Sequence, residues 1–180
     1  MYTIDDYLTV NDVRDLVKLY DSLESNMAHQ DYNLFDVDKR LLRSEHRTIP
    51  AFDKLEKAAG SDKKLYSHYF LDYLPESFTR SHTDNVDDVV LTMVTILDET
   101  GLVGGETIVH LPYEKRIRPG DRYAKRSGDG EAPLGQDIIP KVVLVKAGQT
   151  MTYDHALTHG VCQVSEGRRL VLVSWYAKAD

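Results

Sequence analysis

Cysteine is almost absent from the 180-residue chain: Cys162 stands alone. No internal disulfide framework can form, and a reducing, cytoplasmic setting is expected. No apolar run approaches the length of about eighteen residues that a membrane helix needs, so no membrane partner is expected. The opening MYTIDDYLTV is acidic and polar, where a signal peptide would be basic and then apolar. Basic residues are also short, 22 Lys and Arg against 29 Asp and Glu for a net charge of −7. A duplex nucleic-acid binder usually shows the opposite balance, so nucleic acid is not the expected partner. What is present is globular in kind, 42% apolar and 28% charged, rather than disordered. The length suits one core and is too short for two ordinary domains.

The first third reads as helical. Thr9 can cap a helix with Asp12 in the place of a capping-box acid, and Val13, Leu16, Val17, Tyr20 and Leu23 follow at helical spacing. Residues 25–48 carry no clear period. A second helix is expected from Pro50 to Gly60, with Phe52 and Leu55 on its apolar face. After residue 64 short strands dominate: 77–84, 89–97, 106–111, 142–145, 150–153 and 169–175. Helices followed by strands, without βαβ alternation, predict a mainly β fold with N-terminal helices (α+β), a sandwich or jelly roll. One domain over 1–180 is expected, with a helical brace (1–64) and a jelly-roll core (65–180). The core holds a hydrophilic insert at 112–141, which carries four of the six prolines and four of the eleven glycines. An insert of that length is read as a surface loop or a lid.

Three features carry chemistry. On an extended strand His82 and Asp84 of Ser81-His82-Thr83-Asp84 project to one face, a two-ligand bite for a metal such as Fe(II). Alone, such a triplet is common by chance and more often marks a solvated strand. His159, before Gly160, offers a third ligand, and two histidines with one carboxylate leave half of an octahedral ion open, as non-haem Fe(II) oxygen chemistry requires. Arg169 shares a strand face with Val171, Val173 and Trp175. A guanidinium among apolar residues needs an anion, either a protein carboxylate or a carboxylate ligand held by its planar fork. His155 and His159 are four apart, but the segment His-Ala-Leu-Thr-His lacks the glutamate of a zincin helix.

These residues, with their spacing, resemble the prolyl 4-hydroxylase-like branch of the Fe(II)/2-oxoglutarate-dependent dioxygenases over Tyr66 to Tyr176. That branch has a tyrosine about nine residues before its H-x-D pair, matched by Tyr73. It also has a "GG-x-T" turn, matched by Gly104-Gly105-Glu106-Thr107, and a distal histidine followed about ten residues later by a basic residue, matched by His159 and Arg169. The resemblance implies a double-stranded β-helix (jelly roll, cupin-like). It implies iron at His82, Asp84 and His159, and 2-oxoglutarate held by Arg169 with Tyr73 as a hydrogen-bond donor. Several members carry a tyrosine where Ile96 falls, so that contact is either missing or supplied from elsewhere, with Thr92 and Tyr153 as candidate substitutes. Several also carry lysine at the position of Arg169. Arg168 has the opposite strand parity and ranks below it.

The implied reaction uses Fe(II), O2 and 2-oxoglutarate, with ascorbate as reductant, to hydroxylate an unactivated C–H and release succinate and CO2. The expected substrate is a prolyl residue or related amino-acid side chain, in a peptide, a protein or a small molecule. The same chemistry on a nucleobase or small metabolite, or a non-catalytic jelly-roll binding module, are the alternatives.

Overall fold

The computed structural model describes residues 1–23, 30–31, 35–84, 86, 88–114 and 136–179. In chain order these form β1 (Tyr2–Asp5), α1 (Val10–Ser22), β2 (Gln30–Asp31), β3 (Phe35–Asp36), β4 (Asp38–Leu41), a single 3-10 turn (Ser44–His46) and α2 (Pro50–Ala59). Then follow β5 (Lys63–Tyr73), β6 (Phe78–His82), β7 (Val89–Asp98), β8 (Val103–Gly104) and β9 (Thr107–Glu114). The chain continues through β10 (Gln136–Val143), β11 (Thr150–Asp154), β12 (His159–Val161), β13 (Val164–Glu166) and β14 (Arg169–Lys178).

Two six-stranded antiparallel sheets make the jelly roll. The major sheet runs β1-β11-β7-β14-β5-β4, the minor sheet β10-β9-β12-β6-β3-β2, and β13-β8 form a two-stranded flap. The mainly β, helix-fronted class expected from the sequence is the one observed.

Strand β14 shows why the major sheet sits at the centre. Its residues 169–174 are buried without interruption, as expected of a strand covered on both faces. Leu170 and Leu172, joined past a bulge by Tyr176, meet the helices through Leu16, Tyr20, Phe52 and Leu55. Arg169, Val171, Val173 and Trp175 face the other way, into the roll. Helix α1 starts where expected: Thr9 accepts from the Asp12 amide while the Asp12 carboxylate accepts from the Thr9 amide at 2.7 Å. Helix α2 has Pro50 in its first turn and ends at Gly60, with Ala51, Phe52, Leu55 and Ala59 buried.

The first 64 residues also supply strands that the sequence did not declare. β1 extends the major sheet at one edge and β4 at the other. The expected strand at 142–145 instead runs from Gln136 to Val143 and pairs with β9 over eight residues. The margins of the 112–141 insert are thus arms of a hairpin. Its centre, 115–135, with the basic cluster from Lys115 to Arg126, lies outside the described residues.

Candidate active site

Strands β6 and β12 are antiparallel neighbours, and His82 and His159 are directly opposed across them. Their rings lie 4.5 Å apart at the centroids. The close approach depends on Gly160, where a Cβ would stand 2.8 Å from the Thr79 carbonyl oxygen and 3.0 Å from the Ser81 nitrogen. Asp84 is not on the strand: β6 ends at His82, and the shared-face argument for an i, i+2 pair does not apply. Instead, the Asp84 amide donates to the His155 carbonyl at 3.1 Å, and the Thr92 hydroxyl on β7 donates to Asp84 Oδ2 at 2.7 Å. A turn and a neighbouring strand therefore place this carboxylate.

The ligand atoms of His82, Asp84 and His159 all lie within 4.8 Å of one another. Asp84 Oδ1 is 3.4 Å from His82 Nε2 and 3.8 Å from His159 Nε2. One point therefore lies within about 2.8 Å of all three, against metal–ligand bonds of about 2.0–2.2 Å. The donor set fits an ion in a second respect. His82 Nδ1 lies 2.9 Å from the Arg80 carbonyl oxygen and His159 Nδ1 2.9 Å from that of Leu157. Each carbonyl can only accept, so each Nδ1 carries the proton and each Nε2 keeps its lone pair for the centre. The Tyr153 hydroxyl is 3.0 Å from His159 Nε2 and donates to that lone pair.

Electrostatics follow from burial and from this clustering. Burial would raise the Asp84 carboxyl, but His82, His159 and Thr92 outweigh it and hold it below the usual carboxylate range. Burial pushes His159 down. His82 is raised: burial lowers it, but the Asp84 carboxylate beside it and the Arg80 carbonyl outweigh that cost.

The triad opens onto a cavity of about 270 Å³ walled on the major-sheet side by aliphatic side chains such as Leu71, Ile96 and Val171 and by Tyr69, Tyr73, Tyr153 and Trp175. Arg169 enters it and is 4% exposed. Its Nη2 donates to Thr107 Oγ1 at 2.9 Å, and its guanidinium lies 5.3 Å from the centroid of the Tyr73 ring. Among the described residues no carboxylate lies within ion-pair distance of it. Burial lowers its pKa, the cost of a buried cation awaiting an anion. Arg168 turns the other way and makes a two-point bond to Asp72 at 2.9 and 3.0 Å, so the strand parity read from the sequence is correct.

Tyr73 is buried in the same cavity, with its hydroxyl 2.9 Å from Thr79 Oγ1. Ile96 lies on the cavity wall. Of the two candidates for the tyrosine missing there, Thr92 is committed to Asp84, whereas Tyr153 does line the cavity. Sequence reasoning missed Thr107, which holds Arg169, and Lys39 and Tyr69, which line the cavity from β4 and β5. Thr107 closes the Gly-Gly-Glu-Thr turn and could have been found by asking what that turn delivers. Lys39 lies in the stretch that carried no period.

No family model matches the chain, and no curated protein does so either. Solved structures do. A Pseudomonas putida prolyl-4-hydroxylase superposes with a TM-score of 0.66 at 16% identity, over 99% of this chain and 93% of that one. A viral collagen prolyl hydroxylase from Paramecium bursaria Chlorella virus-1, in a 2-oxoglutarate complex, gives 0.63 at 14%, over 99% and 96%. The non-haem α-ketoglutarate-dependent epimerase SnoN from nogalamycin biosynthesis gives 0.68 at 17%, over 99% and 76%. The fold is that of the 2-oxoglutarate/Fe(II) oxygenases. The resemblance drawn from the spaced motifs and the likeness of the folds converge on the same group of proteins, including its prolyl hydroxylases.

Proposed function

We propose that this chain is an Fe(II)- and 2-oxoglutarate-dependent dioxygenase that hydroxylates an unactivated C–H, most simply on a prolyl residue or a related amino-acid side chain. The observation that carries the reading is the pairing of two features in one cavity. A His-Asp-His triad gathers its ligand atoms within 4.8 Å of one another, and a buried guanidinium with no carboxylate partner among the described residues faces the same space.

His82, Asp84 and His159 would hold the metal on one side and leave its other positions to ligands. Iron bound there with 2-oxoglutarate and O2 supplies the oxidising power, with succinate and CO2 as by-products and ascorbate as the reductant. Arg169 would hold the far carboxylate of 2-oxoglutarate through its guanidinium fork, which Thr107 and the Tyr73 ring keep in place. Tyr73 donates to the cosubstrate when its hydroxyl turns from Thr79. The Val and Ile side chains around them exclude water, which strengthens each of these polar contacts.

Two of the three structures compared are prolyl hydroxylases and the third is an epimerase, so the oxygenase chemistry is supported more broadly than the prolyl substrate. The deciding experiment supplies Fe(II), 2-oxoglutarate and ascorbate with proline-containing peptides, free amino acids and nucleic acid, and measures succinate. Substrate-stimulated succinate that disappears in Asp84→Ala and His159→Ala is expected. A parent protein that neither binds nor consumes 2-oxoglutarate would be a jelly-roll binding module instead.

A further inference from the structure

Among the described residues Lys39 is the second cation of the cavity and has no anionic partner. It projects from β4, the edge strand of the major sheet, and lines the same space as the triad. Its ammonium nitrogen lies 4.0 Å from the centroid of the Tyr69 ring. Among the described residues no carboxylate is within ion-pair distance of it. Burial lowers its pKa, opposed only by Asp84.

Charge makes the vacancy specific. Among the described residues lining the cavity, the formal charges are Lys39, Asp84 and Arg169. In the bare protein Asp84 and Arg169 offset each other. With the centre loaded, two charges of iron and one of Arg169 meet one of Asp84 and two of 2-oxoglutarate, which again offset. Among these residues Lys39 is uncompensated in both states. A half-buried ammonium over an aromatic ring gains some cation–π energy, but it has still given up water for an apolar wall.

Position separates Lys39 from the cosubstrate anchor. Arg169 opposes Tyr73 and Lys39 opposes Leu71, on opposite flanks of β5. The Arg169 guanidinium lies over the Tyr73 ring, whereas the Lys39 ammonium leans over Tyr69. Tyr69 and Tyr73 are four residues apart on one strand face, about 13 Å at the backbone. The two cations thus serve different stretches of the cavity. Beside Tyr69, Trp175 packs edge-on at 5.3 Å, and its indole N–H has no hydrogen-bond partner among the described residues.

We infer that Lys39 forms an anion subsite for the substrate that is oxidised, so that this substrate carries a carboxylate. The inference rests on the oxygenase reading and deepens it. A free amino acid and the acidic side chain of a peptide share this chemistry.

Trp175 is the single tryptophan and borders the subsite, so its fluorescence reports occupancy without turnover. The full chain, loaded with Mn(II) and 2-oxoglutarate and also bare, is titrated with N-acetyl amino acids against their carboxamides, and with short proline peptides carrying aspartate against asparagine. At least one carboxylate should bind about tenfold or more tighter than its amide, the low end for a desolvated charge pair. Preference within the first pair set points to a free amino acid, within the second to an acidic peptide. Lys39→Met should abolish the preference, Lys39→Arg should keep it, and Lys178→Met, on the exposed end of β14, should not change it. Retained 2-oxoglutarate affinity in Lys39→Met shows that the variant is folded. Equal binding of acids and amides, no binding of any carboxylate, or an undiminished preference in Lys39→Met overturns the subsite. So does a Lys39→Met variant that loses 2-oxoglutarate instead, which would assign Lys39 to the cosubstrate. If the parent does not bind 2-oxoglutarate, the oxygenase reading fails, and the bare-chain titration still decides the subsite.

Discussion

At the scale of single residues, adjacent arginines on β14 do unlike work because neighbouring side chains on a strand face opposite ways. Arg169 is buried in the cavity and Arg168 is bonded to Asp72 under α1. Arg169→Ala should weaken 2-oxoglutarate binding by about 2–5 kcal/mol, roughly 30- to several-thousand-fold, because a buried anion loses its partner. Arg169→Lys keeps the charge and loses the fork, so its dissociation constant should fall between the two. Arg168→Ala should leave that constant near the parent value and instead cost about 2–3 kcal/mol of unfolding free energy in urea, since Asp72 is buried while Arg168 is partly solvated. The reverse pattern would mean that the last strand is out of register by one residue. Thr92 acts one step further from the proposed metal centre. Thr92→Val preserves shape but removes the bond to Asp84 Oδ2, and Mn(II) titration calorimetry should show affinity lower by about 10- to 100-fold. An unchanged affinity would show that the turn at Asp84 alone orients the carboxylate.

At the scale of elements, the triad depends on how closely β6 and β12 approach. Gly160→Ala places a methyl against backbone atoms of Thr79 and Ser81, which cannot rotate away as a side chain could. The strands must separate, and His82 and His159 with them. Metal affinity should therefore fall more than about tenfold while far-UV circular dichroism stays near the parent, since the major sheet and both helices are untouched; parent-like metal binding would show that the strands absorb the methyl by sliding. The same elements show what could be read without coordinates. Helices α1 and α2 were legible because capping and spacing are local signals, and β14 was legible because burial on both faces leaves an unbroken apolar run. His82, His159 and Arg169 were legible because their spacing is tied to strand positions. Asp84 was placed for the wrong reason: the strand stops at His82, and the carboxylate arrives by a turn held from His155, more than seventy residues away in sequence. β1, β4 and the outer residues of the β9–β10 hairpin, beyond the strands expected at 106–111 and 142–145, were missed because short segments carry no strong alternation. Lys39 was missed with β4, since only pairing with Leu71 brings it to the cavity.

At the scale of the whole molecule, the major sheet is the shared wall between the helices and the cavity, and His68 marks its dry side. On β5 it packs against Phe52 of α2 at 4.9 Å between ring centroids and meets the Tyr176 ring edge-on. Its Nδ1 is 2.7 Å from Ser174 Oγ, while Nε2 is buried with no hydrogen-bond partner among the described residues. Burial first, and the nearby Arg47 charge second, push its pKa down to about 3. The unfolded chain takes up a proton at this histidine near pH 6.5 and the folded chain does not, so the stabilisation is full above that pH and is lost as pH falls towards about 3. Between pH 7 and pH 5 the loss from this one group is about 2 kcal/mol. His68→Gln cannot titrate and retains a group able to bond Ser174. Urea unfolding of the metal-free chain at the two pH values should therefore show the parent losing about 2 kcal/mol more than His68→Gln. The other histidines are common to both proteins, so their contributions cancel in the comparison. Equal losses would mean that His68 takes up its proton within the fold, and that water or a rearranged partner reaches Nε2 between the helices and the sheet.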